Sequence, residues 1–280
     1  MPLPADKKRL LYNKAREIRE KIVWVTEKCG GSHIGGAMSQ TDLLVSLYYN
    51  RLRINPKDYK WEDRDRFILS KGHGGVGHAV ILGDLGFFPE KDLADFNKTG
   101  SPFGMHLDYL KVPGVDASTG SLGHGLSIAI GMALGACLQG FQWRTYCLLG
   151  DGECNEGTIW EAAMSASHYK IYNMTTIVDR NKFMIDGPTE SVMGLEPFAK
   201  KWEAFGWRVI EIDGHDLDQI DDAFDAVEAE KTKPTVIIAN TIKGKGVDFM
   251  EDQAKWHYAG LDSEMSKKAI EAIRKKYPLV

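Results

Sequence analysis

Asp151 and Asn181 each stand where an apolar run stops. Tyr146 to Leu149 runs into Gly150-Asp151-Gly152, and Met174 to Val178 runs into Asp179-Arg180-Asn181. An anionic oxygen and a neutral amide oxygen are hard ligands, of the kind Mg²⁺ takes while keeping substrate oxygens in its shell. Glycines on either side of the aspartate let backbone N–H groups come close to an anion. Gly-Asp-Gly alone reads more readily as a turn at a strand end. The second polar position at the end of the next strand shifts the reading toward a metal held against a phosphate.

Other segments repeat the device. Arg66 to Ser70 is a short strand that meets Lys71-Gly72-His73-Gly74-Gly75. Backbone N–H groups there could cradle a phosphate, with His73 as a further donor. It is no Walker loop, because Gly-Lys-Ser/Thr does not follow at the required spacing. Thr235 to Asn240 meets Thr241-Ile242-Lys243-Gly244-Lys245-Gly246, where lysines beside free N–H groups suit a diphosphate; a solvated basic loop has the same composition. His33 lies in Ser32-His33-Ile34-Gly35-Gly36, as compatible with a local turn as with a site. His106 lies in irregular backbone between residues 87 and 119, and a long ordered loop is more often functional than idle. His257 follows an acidic stretch in Trp256-His257-Tyr258. His78 reads as a helix residue facing core or solvent, without a role.

These residues need a scaffold that brings strand ends together. Strand, helix and strand over residues 146–178 make a right-handed crossover joining parallel neighbours. Ligands of open parallel sheets bind at the carboxyl edge of the strands. Strands are expected at 66–70, 146–149, 174–178, 207–212 and 235–240. Helices are expected at 6–28, 41–49, 126–138, 155–169, 193–205, 216–230 and 262–276. Leu11, Ala15, Ile18, Ile22 and Val25 give the first of these its apolar stripe. Gly131 and Gly135, one turn apart, predict close helix–helix packing. No repeat, low-complexity tract or linker appears. The expected fold class is α/β, one domain over 1–280 with a doubly wound, mainly parallel sheet and helices on both faces.

Composition narrows the function. The chain has 280 residues and a formal net charge of −4, which gives no basic footprint for nucleic acid. No apolar run approaches a membrane span, and the start has no signal core. Cys29, Cys137, Cys147 and Cys154 lack metal-ligand spacing and read as free, mainly buried thiols in a reducing, cytoplasmic compartment.

In order, the segments are Gly-Ser-His, Lys-Gly-His-Gly, Met-His, Thr-Gly-Ser-Leu-Gly-His-Gly, Gly-Asp-Gly with a later Asn, Lys-Gly-Lys-Gly and Trp-His. From about residue 10 to 260 they resemble the diphosphate-binding half of transketolase. The resemblance implies thiamine diphosphate as cofactor, held through Mg²⁺, with Ca²⁺ or Mn²⁺ as substitutes. Asp151, Asn181 and the carbonyl of Phe183 would be metal ligands. His73, Gly152, Lys243 and His257 would bind the diphosphate, and Gly120 and Leu122 would line the cofactor near its rings. His33, His106 and His257 would contact the ketose and move protons. Glu156 matches a glutamate that communicates with the partner's active site. His124 stands where many relatives carry glutamine, so it is given no role.

The family's pyrimidine-binding domain supplies the glutamate that activates the cofactor, and neither it nor the C-terminal domain is encoded here. The resemblance therefore implies the N-terminal subunit of a split transketolase, partnered by a C-terminal subunit in an α2β2 heterotetramer. It would move a two-carbon ketol unit from a ketose phosphate to an aldose phosphate, as in the pentose phosphate pathway. Alternatives are a non-standard donor, such as a sulfonated or branched sugar, and a non-catalytic cofactor-binding half-domain. A 1-deoxyxylulose-phosphate synthase shares the Gly-Asp-Gly pattern, but Lys-Gly-His-Gly and Met-His favour transketolase. The alpha chain of a 2-oxo acid dehydrogenase would lack this histidine set.

Overall fold

The computed structural model describes residues 3–280. The chain order is α1 (Ala5–Cys29), α2 (Ile34–Ser39), α3 (Thr41–Ser46), β1 (Arg66–Leu69), α4 (Gly75–Asp84), α5 (His124–Gln139), β2 (Thr145–Gly150), α6 (Gly157–His168), β3 (Met174–Arg180), α7 (Thr189–Val192), α8 (Phe198–Ala204), β4 (Arg208–Asp213), α9 (Leu217–Ala229), β5 (Thr235–Asn240) and α10 (Ser263–Lys276). The strands form one parallel sheet in the order β1-β2-β3-β5-β4. The expected α/β doubly wound sheet is thus observed, with every pairing parallel.

Alternation along the strands divides the core in two. Phe67, Leu69, Tyr146, Leu148, Ile177 and Ile237 face a cluster with Leu11, Ile18 and Ile22 of α1 and Val76 and Val80 of α4. Ile68, Cys147, Leu149, Val178, Val236 and Ile238 face the other side, against Leu126 and Ala133 of α5, Ile159 and Ala163 of α6 and Trp202 of α8. Side chains with period two on a sheet covered on both faces produce this division.

Three expectations need correction. Gly131 and Gly135 carry no close packing within this chain, since a Cβ at either would meet nothing within 4 Å. Helix α5 packs instead through Leu126, Ala129, Ile130, Ala133 and Ala136, which turns the glycine face outward. The helix expected at 193–205 is only α8, which begins after Pro197; a proline drives the preceding residue out of the helical region. Lastly, the cysteines are all free, but Cys137 is exposed on the outer face of α5 and Cys29 is half-buried, while Cys147 and Cys154 are buried. The exposed face of α5 also shows Leu138 at 79%, and neighbouring α6 shows Met164 at 59%. Among the described residues no helix is long and apolar enough to cross a membrane.

Candidate active site

The sheet register sets the site. Gly150 of β2 pairs with Asp179 of β3, so Asp151 and Asn181 leave adjacent strands at the same edge. Both are buried. The Asp151 carboxylate accepts the Gly152 N–H at 2.9 Å and the Lys182 N–H at 2.6 Å. Burial pushes its pKa up to about 6, and the neighbouring Asp179 adds to the rise. Asn181 accepts the Phe183 N–H at 3.2 Å and donates to Asp179 at 3.3 Å. Phe183 lies two residues farther along the turn, bridged to Pro188.

Beneath these residues runs a buried ion pair. Lys71, at the end of β1, extends past Gly150 of β2 and reaches Asp179 of β3. Ser39 of the α2–α3 segment and Thr241 after β5 also donate to Asp179. These bonds and the Lys71 ammonium hold the carboxylate charged despite complete burial, with its pKa below the ordinary value. Lys71 and Asp179 each stand inside a motif legible in the sequence, but their pairing is not. Glu153 is a further site residue without a sequence signal. Its buried carboxylate accepts the Gly123 N–H at 2.9 Å, the Gly150 N–H at 3.0 Å and the Ser70 hydroxyl, tying the ends of β1 and β2 to the loop before α5.

Four histidines from distant segments meet above this floor. His33 lies 5.1 Å from His73, 5.3 Å from His257 and 6.4 Å from His106, centroid to centroid, and His73 stacks on His257 at 5.2 Å. Burial pushes their pKa values down, to about 4 for His33, about 2 for His73 and about 3 for His257, helped by neighbouring cationic groups. His106 is lowered as well, through burial. The cluster is therefore neutral at neutral pH and can accept protons. Gly120, at φ +159°, lies against the His106 ring, and a Cβ there would meet it at 3.0 Å. Lys243 is buried, with its Nζ 3.1 Å from His257 Nδ1. Burial and Lys71 pull its pKa down to about 8.

His33, His73, His106, His257, Lys243, Gly120, Asp151, Gly152 and Asn181 are thus gathered at one sheet edge. Leu122 lies on the same loop as Gly120, half-buried. Glu156 is not in the cluster; it is exposed, with its Cβ and Cγ against Gly123. His124 lines an open cleft of about 430 Å³ with His106, Gly120 and Ile128. His78 belongs to the core, its Nε2 2.6 Å from the Tyr48 hydroxyl. Cys154, within reach of the Asp151 turn in sequence, is a buried thiol with its pKa raised by burial, and it stays unreactive.

A metal–diphosphate group fits these residues. Asp151 accepts only backbone N–H groups and has no cationic side chain at ion-pair distance, while Lys243 has no carboxylate at ion-pair distance among the described residues. His33 Nδ1 is buried without a hydrogen-bond partner among the described residues. A cation held on an anion would satisfy the first two needs together. Among the described residues no group of three or more His, Cys, Asp or Glu could hold a metal. The ion's remaining ligands would thus have to come from amide, backbone and bound oxygens.

Residues 12–279 match the family described as transketolase, thiamine diphosphate binding domain. The chain belongs to the transketolase family. It is 40% identical over 266 residues to the 6-deoxy-6-sulfo-D-fructose transketolase subunit SqwG of a Clostridium species, covering 95% of this chain and 97% of that one. It is 39% identical to one of the subunits of the apulose-4-phosphate transketolase of Phocaeicola vulgatus, covering 92% of each. Transketolase from Leishmania mexicana superposes with a TM-score of 0.88 at 30% identity, covering 95% of this chain and 41% of that one. The chain therefore spans about two fifths of the solved transketolases and nearly the whole of relatives named as subunits. The resemblance drawn from the motifs is borne out in family, in fold and in thiamine diphosphate as the family's cofactor.

Proposed function

We propose that this chain is the thiamine-diphosphate-binding subunit of a two-subunit transketolase, completed by a separate C-terminal subunit in an α2β2 assembly. The observation that carries the reading is the near end-to-end match to a transketolase subunit, by a chain that holds the family's histidine cluster. The chain forms one unit over 1–280, and the pyrimidine-binding and C-terminal domains belong to the partner. Asp151, Asn181 and the Phe183 carbonyl hold Mg²⁺, with Ca²⁺ or Mn²⁺ as substitutes. Lys243, His73, His257 and the backbone at Gly152 hold the diphosphate. Gly120 and Leu122 line the rings. Bound thiamine diphosphate supplies the electron sink for moving a two-carbon ketol unit.

The chain's own part is acid–base and positional. His33, His106 and His257, neutral and within one cluster, take and return protons at sugar hydroxyls. Glu156, exposed beside the start of α5, faces the partner and couples the two halves of the assembly. Four free thiols accord with a cytoplasmic setting. A second reading of the donor is favoured by relatives named for a sulfo-fructose and for apulose 4-phosphate: the substrate is a non-standard sugar and not a pentose phosphate pathway ketose.

The test is a donor–acceptor assay on the chain alone and with its partner subunit, supplied with thiamine diphosphate and Mg²⁺. Xylulose 5-phosphate, 6-deoxy-6-sulfofructose and apulose 4-phosphate serve as donors. Turnover only in the mixture is expected, and the preferred donor decides between the two substrate readings. Turnover by the chain alone would overturn the shared site. Tight cofactor binding with no turnover of any donor in the mixture would favour the non-catalytic half-domain.

A further inference from the structure

We infer that His215 is a positioning residue for the cofactor's diphosphate, holding the Lys243 loop from behind through the backbone of Ile242; the link to the diphosphate rests on the function proposed above. His215 lies in the turn between β4 and α9, with its side chain 10% exposed. Its Nε2 is 2.9 Å from the Ile242 backbone nitrogen, and its Nδ1 is 2.7 Å from Asp42 Oδ2. A backbone amide can only donate, so Nε2 carries the lone pair and the Nδ1 proton goes to Asp42.

Asp42 is itself fixed. Arg19, fully buried in α1, donates to both its oxygens, Nη1 to Oδ1 at 2.9 Å and Nη2 to Oδ2 at 2.6 Å. The Arg19 guanidinium lies 5.0 Å from the ring of Tyr277, just past α10. Arg19, Asp42, His215 and the Ile242 N–H thus form one chain of hydrogen bonds from α1 through α3 to the loop after β5. Core packing alone does not require a fixed histidine tautomer, whereas presenting an acceptor to one peptide N–H does.

Ile242 is next to Lys243. The loop's neighbouring backbone bonds run to main-chain atoms, from Thr241 N–H to the Arg180 carbonyl and from Gly244 N–H to the Gly35 carbonyl, each 3.0 Å. At Ile242 a side chain takes that place. Lys243 and His257 touch at 3.1 Å, so a shift of the Ile242 peptide moves the ammonium relative to the imidazole that shares its anion.

Two substitutions separate positioning from stability. In His215→Gln the amide oxygen can reach the Nε2 position and accept from Ile242, but the bond to Asp42 is lost. In His215→Asn the amide nitrogen can donate to Asp42, and the acceptor for Ile242 is lost. Each variant and the wild type would be melted, assembled with the partner subunit and titrated with thiamine diphosphate and Mg²⁺, and followed by amide hydrogen exchange at Ile242 and Lys243. The expected result is a similar loss of melting temperature in both variants. Cofactor affinity should fall about tenfold in His215→Asn and stay within about threefold of wild type in His215→Gln, the size of one hydrogen bond. Ile242 exchange should quicken only in His215→Asn. Equal affinities in the two variants, or equal exchange at Ile242, would overturn the proposal. A wild type that binds no thiamine diphosphate would instead sink the cofactor reading, and the exchange pattern would still decide whether His215 holds the loop.

Discussion

Asp151 is the residue on which the metal reading turns. Its pKa, pushed up to about 6 by burial and Asp179, means that a proton occupies the carboxyl in moderately acid solution. A metal must displace that proton. Metal-dependent thiamine diphosphate binding should therefore weaken as pH falls through about 6, and titrations in two buffers of different ionisation enthalpy should report proton release there. Equal affinity at pH 5 and pH 7 would speak against Asp151 as a ligand. Asp151→Ala should abolish the metal dependence of cofactor binding. His106 borders the open cleft beside Gly120, at the outer side of the histidine cluster, so His106→Ala should lower kcat of the assembled enzyme by about 100-fold while cofactor affinity barely changes. A matching loss of cofactor binding would remove it from the proton-transfer role.

At the level of elements, the strand ends were legible and their cross-ties were not. Each apolar run that stops at glycines, namely β1 at Lys71-Gly72, β2 at Gly150 and β5 at Thr241, announces itself by composition, because a buried parallel strand is apolar throughout and its exit needs backbone freedom. Lys71 and Asp179 lie far apart in sequence, and nothing local says that one reaches the other past Gly150. The same holds for His215 and Ile242. Helix α2 is not legible, since Gly35 and Gly36 lower its propensity, and it forms fully buried against α1 and α4. The Lys71–Asp179 tie predicts its own test. Lys71→Met should strand a buried carboxylate and destabilise the fold by about 3–5 kcal/mol in urea unfolding. Adding Asp179→Leu should restore much of that loss, and failure to do so would show that Asp179 matters for its bonds to Ser39 and Thr241 more than for its charge.

For the whole molecule, pH acts through the buried imidazoles. His33, His73, His78 and His257 have folded pKa values of about 4, 2, 3 and 3, against 6.5 for the ordinary side chain. The unfolded chain therefore binds more protons between those values and 6.5, so stability rises with pH across that window and falls as the solution is acidified. Asp151, its carboxyl raised by burial from 3.8 to about 6, and Glu153, also raised by burial, oppose this. Five lowered imidazoles, His106 among them, against two raised carboxyls predict a melting temperature that drops steadily from pH 6.5 to pH 4.5 in the cofactor-free protein. A flat profile would mean that the cluster is solvated in solution.

Leu138 and Met164 point outward from α5 and α6 with Gly131, Gly135 and Cys137 nearby. A face of that kind is a liability for any copy made without its counterpart, since apolar surface left in water associates with whatever offers more of the same. If the proposed C-terminal subunit covers this face, a cell producing this chain is under pressure to match its supply to that of the partner. Surplus copies would be drawn into self-association or degradation, so the ratio of synthesis, more than the amount, would set how much working enzyme accumulates.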